Sequence, residues 1–259
     1  MTIAAGEGLR VDLRGRVALV TGAARGIGFA IAERLGANGA RVVVADLNAA
    51  QAEAARDRLV AAGIEAMALG ADVSDERDVA EMVGCAERSY GAVDILVNNA
   101  GMVSTTQVTD TTSADWRRVM AVNLDGVFYC IRAALPGMVA RGYGRIVNIS
   151  SVAGKRGGGL LGGSCYAASK GGVIALTKGV AREAGPFGVT VNAITPALID
   201  TEMTSILPPA GRARVLADMP VGRAGTPADI AAAACFLASD AAAFITGEIM
   251  DVDGGFMRD

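Results

Sequence analysis

Histidine is absent from this chain. That one absence removes Ser/His and Cys/His nucleophilic catalysis, imidazole acid–base chemistry and the commonest zinc ligand, so no metal site is expected. Cysteine is sparse: Cys85, Cys130, Cys165 and Cys235 stand far apart, with no C-x-x-C pair. Three of them lie in apolar surroundings and read as core fillers; Cys165, beside Tyr166, is placed to line a pocket. No run of basic residues occurs and the formal net charge is −3, so neither nucleic acid nor an anionic membrane surface is an expected partner. No apolar run approaches the roughly 20 residues of a membrane span. The start, MTIAAGEGLRVDLRG, lacks the basic and apolar regions of a secretory signal, and a cytoplasmic protein is expected.

What is present is a chain of 259 residues, 52% hydrophobic, which suits one domain with a large core. After an N-terminal extension over 1–12, VALVT (17–21) is a short β-branched run. Gly22-Ala23-Ala24-Arg25-Gly26-Ile27-Gly28 follows, and then FAIAERLGANGA with helical spacing. VVVA (42–45) is the next strand and ends at Asp46. This strand–helix–strand unit implies a parallel pair. The alternation continues through helix 49–62, strand 65–71 ending at Asp72, and a helix to Tyr90 that Ser74 can cap. Strand 95–97 then leads to Asn98-Asn99-Ala100-Gly101, and a helical segment over 113–140 carries Asn123. Strand 145–150, helix 166–184, strand 190–194, a helix opening at Thr226-Pro227 and strand 248–255 complete the chain. The expected fold is a single doubly wound, Rossmann-type α/β domain, with a seven-stranded parallel sheet and helices on both faces. The proline-punctuated stretch 197–225 reads as a flap over a ligand, or else as an ordered surface connection.

Ligands of open α/β sheets bind beyond the carboxyl ends of the strands. The glycines, Asp46, Asp72, Asn99, Ser151 and Pro196 all fall at such ends, which predicts one extended site. Gly22, Gly26 and Gly28 permit close backbone approach, and the helix behind them offers N–H groups to a pyrophosphate. A carboxylate at Asp46 suits the ribose hydroxyls of an adenosine and repels a 2′-phosphate, which favours NAD over NADP; its alternative role is a cap on the helix near Asn48. Arg25 complicates the choice, because a guanidinium in the glycine turn can neutralise that phosphate. Tyr166 and Lys170 stand at i and i+4 of a helix and share a face. An ammonium there lowers the phenol pKa toward the range useful for proton transfer.

TGAARGIG (21–28), NNAG (98–101), Asn123, Ser151, Y-x-x-x-K (166–170) and a proline after the sixth strand occur in order. In this the chain resembles the short-chain dehydrogenase/reductase family from about Leu13 to Gly255. The resemblance implies that Tyr166 is the general acid/base and that Lys170 lowers its pKa and binds the nicotinamide ribose. It implies that Ser151, rather than its rival Ser150, holds the substrate oxygen. Asn123 would organise a helix carbonyl and a water in a proton path. Asp72 and Val73 would contact adenine, with Ile27 and Leu47 beside the dinucleotide. Asn99, Ala100 and Gly101 would pass under the ribose, and Pro196, Ile199 and Thr201 would fix the nicotinamide amide. The family's Pro-Gly after the sixth strand is Pro196-Ala197 here, and the interval from Ser151 to Tyr166 is long, through Gly157 to Gly163. A substrate pocket of Met102, Val103, Leu160, Leu161, Ala197 and Leu198 is expected. The implied activity is NAD-dependent interconversion of a secondary alcohol and a ketone, with a polyol, sugar or similar small hydroxy compound as substrate. An NADP-dependent 3-oxoacyl reductase and a non-catalytic dinucleotide-binding protein are the alternatives. A homotetramer is implied, with helices 113–140 and 166–184 against a neighbour.

Overall fold

The computed structural model describes residues 11–159, 162–205 and 207–258. Leu160, Leu161 and most of the N-terminal extension lie outside the described residues. Seven strands, β1 (Val17–Thr21), β2 (Arg41–Asp46), β3 (Ala66–Gly70), β4 (Ile95–Asn98), β5 (Gly144–Ile149), β6 (Val189–Pro196) and β7 (Ile249–Val252), form one sheet in the order β3-β2-β1-β4-β5-β6-β7. Every pairing is parallel. The chain winds outward from β1 to β3, then returns to place β4 on the other side of β1. The switch between β1 and β4 is where such sheets open a crevice.

The expected burial on both faces holds along β1. Ala18 and Val20 pack into the layer of α1 (Gly26–Ala37) and α2 (Ala49–Ala61), together with α9 (Pro227–Leu237). Val17 and Leu19 pack into the opposite layer of α3 (Glu76–Tyr90), α5 (Gly126–Arg141) and α7 (Ser164–Ala184). Strict alternation within an all-apolar strand is what a sheet covered on both faces demands.

Several local readings need correction. Asp75, not Ser74, caps α3, its side chain accepting from the N–H groups of Arg77 and Asp78. The Ser74 hydroxyl instead donates to Asp72 at 2.7 Å. The long helix is α4 (Ser113–Met120) joined to α5 through a π-helical turn, Ala121–Asp125, which contains Asn123. The run Ser113–Arg141 is long and apolar enough by composition to cross a membrane. Its Val127, Cys130, Ile131, Ala134 and Met138 are instead buried in the sheet's own helical layer. The stretch after β6 is also more ordered than its prolines suggest. It holds a 3-10 turn, Glu202–Thr204, and a helix α8 (Pro209–Ala217) with proline in the first turn, where it is tolerated. Leu198, Leu207, Met219 and Ala224 give it a small core of its own. A short α6 (Val152–Arg156) follows β5.

Candidate active site

The carboxyl ends of the strands open into a cleft of about 1250 Å³. Gly22 and Gly26 carry φ of +60° and +58°, the left-handed region that a side chain disfavours. A Cβ on Gly28 would run into the Gly22 carbonyl oxygen and lie 2.5 Å from Nδ2 of Asn99. Gly28 therefore does not line the cleft; it lets the turn fold tightly against the end of β4. Asn99 completes that joint, its Nδ2 donating to the carbonyls of Thr21 (3.0 Å) and Gly22 (2.9 Å). Thr21, unremarked in the sequence, accepts from the N–H groups of Asn99 and Ala100 at 3.1 Å each.

The rim beside the glycine turn carries Asp46. Its carboxylate accepts from Ala24 N–H and from Asn48 N–H, both at 3.1 Å. The cap of α2 is Asn48 itself, so Asp46 is not the helix cap. Ile27, Leu47, Asp72, Val73, Ala100 and Gly101 line the same wall. Arg25 is the N-cap residue of α1 and offers its first turn no side-chain acceptor. Its guanidinium reaches across the rim to Glu202.

At the other end, Ser151, Tyr166 and Lys170 share the wall with Pro196, Ile199 and Thr201. The Ser151 hydroxyl caps α6, accepting from Ala153 N–H at 3.1 Å. Ser150 is spent elsewhere: its hydroxyl is buried and donates to the Lys170 carbonyl at 2.9 Å. This separates two serines that the sequence left close. Lys170 is buried, and its Nζ donates to the Ile149 carbonyl at 2.8 Å.

The expected effect of Lys170 on Tyr166 is not found in the chain alone. Burial pushes the Tyr166 phenol above its ordinary value, and only the hydrogen bond from Ser151 opposes this. Burial also draws Lys170 down to about 8. Its Nζ stands 6.0 Å from the Tyr166 ring centre. A desolvated ammonium at that value is a weaker electrostatic partner than a fully charged one.

Asn123 does not reach the cleft. It is fully buried; its Oδ1 accepts from Met102 N–H (2.8 Å), and its Nδ2 donates to the Met102 carbonyl (2.9 Å) and to Ser169 (3.0 Å). All its hydrogen-bonding groups are engaged in fixing the strand end against α7. A Cβ on Gly101 would lie 3.2 Å from Asn123 Oδ1 and 3.4 Å from Lys170 Nζ, so glycine there keeps the two close.

Cys165 turns away from the cleft, its thiol 4.0 Å from the Trp116 carbonyl. Gly162 packs under the Tyr166 ring, where a Cβ would run into Cδ1 and lie 3.1 Å from Cε1. Met102, Val103, Ala197 and Leu198 line the substrate end as expected. Met203, Leu207, Arg214 and Phe256 also line the cleft, as does Glu202 beside Arg25, and no sequence signal marked them.

A nicotinamide dinucleotide fits this cleft. A Cβ on Gly22 would press on the Ala100 backbone and break the close approach of the turn to β4's end, and Gly22 and Gly26 line the cleft at positive φ. The uncapped first turn of α1 faces it, and the cleft joins Asp46 to Ser151 and Tyr166 along one wall.

Comparison with known proteins agrees with the geometry. A model of the family described as enoyl-(acyl carrier protein) reductase matches residues 22–257. An uncharacterized short-chain type dehydrogenase/reductase, y4mP of Sinorhizobium fredii, is 40% identical over 254 residues, covering 95% of this chain and 98% of that protein. The 3-oxoacyl-(acyl-carrier-protein) reductase FabG of Vibrio cholerae is 42% identical over 245 residues, with the same coverage. The crystal structure of gox2181 superposes with a TM-score of 0.94 at 35% identity, covering 96% of this chain and 98% of that one.

Proposed function

This chain belongs to the short-chain dehydrogenase/reductase family, and on that premise we propose that it is an NAD-dependent oxidoreductase interconverting a secondary alcohol and a ketone. The observation that carries this reading is the meeting of Ser151, Tyr166 and Lys170 in the lining of one cleft. Bound nicotinamide would supply the hydride exchange. Tyr166 passes the proton to or from the substrate oxygen, and Ser151 holds that oxygen as charge develops on it. Lys170 has two N–H donors beyond the one given to Ile149, and these serve the nicotinamide ribose. Its positive charge, together with that of the oxidised cofactor, brings Tyr166 down from the high value that burial imposes. Asn123 acts at one remove, by fixing Met102 at the cleft wall.

The NAD preference rests on Asp46, held at the rim by two backbone N–H groups, where its charge opposes a 2′-phosphate. Asp72 and Val73 would face adenine, and Pro196, Ile199 and Thr201 the nicotinamide amide. The segment 197–225 would close over the substrate.

The substrate end carries Met102, Val103, Ala197, Leu198, Leu207 and Phe256, with Arg214 as a charged neighbour. Such a surface suits an aliphatic body better than a polyol or sugar, whose hydroxyls would face carbon. A 3-oxoacyl group is the second reading, favoured by the names of the relatives at about 40% identity. The test is the specificity constant, with NAD or NADH, on aliphatic secondary alcohols, polyols and 3-oxoacyl thioesters. Aliphatic or acyl substrates are expected to exceed polyols by about tenfold or more, the scale of one or two buried methylenes. Preference for polyols overturns the substrate assignment. Tight dinucleotide binding without turnover on any of them favours the non-catalytic alternative.

A further inference from the structure

Arg25 sits where a cation is poorly placed. It is the N-cap residue of α1, at the positive end of the helix dipole, and its side chain has no acceptor to offer the first turn. Glu202 offsets this charge. It opens the 3-10 turn Glu202–Thr204 beyond β6, and its carboxylate accepts from Arg25 Nη1. The glycine turn and the segment after β6 are close here, since a Cβ on Gly26 would meet Cγ2 of Thr201 at 3.8 Å. Ala24, next to Arg25, donates its N–H to Asp46 at 3.1 Å. Arg25, Asp46 and Glu202 all line the cleft. The guanidinium is thus held by Glu202, and Arg25 is next to the residue whose N–H Asp46 accepts.

We propose that Glu202 is a cofactor-specificity residue that holds the Arg25 guanidinium and so denies it to an adenosine 2′-phosphate. This rests on reading the cleft as a dinucleotide site. A 2′-phosphate beside Asp46 needs a cation to offset the repulsion, and Arg25 is the cation of that turn. To recruit it, the phosphate must displace Glu202, and must then bind with both carboxylates near. NAD(H) requires no displacement, because its ribose hydroxyls take Asp46 and leave the pair intact. The two side chains are 67% and 73% exposed. The pair is therefore weak and screened by salt, as a residue that tunes preference without fixing the fold should be.

The experiment is equilibrium titration of NADH and NADPH, followed by fluorescence of the reduced nicotinamide. The proteins are the full chain, Glu202→Gln, Arg25→Ala and the double variant. Glu202→Gln is expected to tighten NADPH by about five- to tenfold, the scale of one charge-assisted contact, and to change NADH by less than about twofold. The gain should vanish when Arg25 is alanine. An unchanged ratio of the two dissociation constants in Glu202→Gln overturns the proposal, as does a gain that persists without Arg25. Failure of the unaltered chain to bind either dinucleotide overturns the site reading as well, and the first titration separates that outcome from failure of the proposal alone. Thermal melting of each variant confirms that all are folded.

Discussion

Lys170 is the residue whose behaviour departs furthest from its sequence reading. Burial lowers its pKa to about 8 from the ordinary 10.5. Between those values the unfolded chain holds the proton and the folded chain does not, so stability rises with pH across that window. The full deficit, on the order of 3 kcal/mol, is present below about pH 8. The urea midpoint should therefore climb between pH 8 and pH 10 in the unaltered protein and stay flatter in Lys170→Met; parallel curves would refute this. That Asp46, Ser151, Gly22 and Gly26 line the cleft was legible because a parallel sheet gathers such residues at its strand ends, and that Tyr166 and Lys170 join them because i and i+4 share a helix face. The partners of Asn123 were not. Its bonds to Met102 and Ser169 depend on how α7 packs against the end of β4, which no local spacing encodes. Glu202 was hidden for the same reason: a carboxylate on a proline-rich stretch resembles any solvated residue until the fold brings it to Arg25.

At the scale of elements, the glycine turn and the stretch before α7 owe their shape to close contacts. Gly28→Ala sets a methyl against the Gly22 carbonyl and Asn99. It should cost about 1–3 kcal/mol, as overpacking does, and weaken dinucleotide affinity with it; chemical denaturation and titration check both. Gly162→Ala presses on the Tyr166 ring instead. It should leave dinucleotide affinity within about twofold and lower kcat by about tenfold or more, because small displacements of a reacting group are costly. Equal losses in binding and turnover would contradict the separation of the two ends of the cleft. The element order was readable from apolar runs and their punctuation. The π-helical turn at Ala121–Asp125 was not, since it preserves helical periodicity on both sides. The helix α8 within 197–225 was not read because proline forbids a long helix and still permits one that starts with it.

For the whole molecule, the sheet order β3-β2-β1-β4-β5-β6-β7 turns scattered motifs into one cleft. Every β strand delivers its polar end to the same edge because all pairings are parallel. The opposite consequence falls on the outside. Trp116 and Phe128 on the α4–α5 run are partly exposed, and Phe244 is fully so. Single exposed apolar side chains are ordinary on a protein surface, so the homotetramer is proposed on the resemblance. Sedimentation equilibrium should return four chains; Phe244→Asp should reduce that number if its surface lies within the assembly. A monomeric unaltered protein at micromolar concentration would dismiss the expectation.

Tyr166 is the proposed proton-transfer group of a dinucleotide-dependent alcohol/ketone oxidoreductase. Its most direct test measures kcat and the NADH dissociation constant of Tyr166→Phe beside the unaltered protein, on the best substrate found. A fall in kcat of about 10²- to 10⁴-fold is expected, the usual worth of a general acid/base, with the dissociation constant changed by less than about twofold. Undiminished turnover by Tyr166→Phe would contradict it.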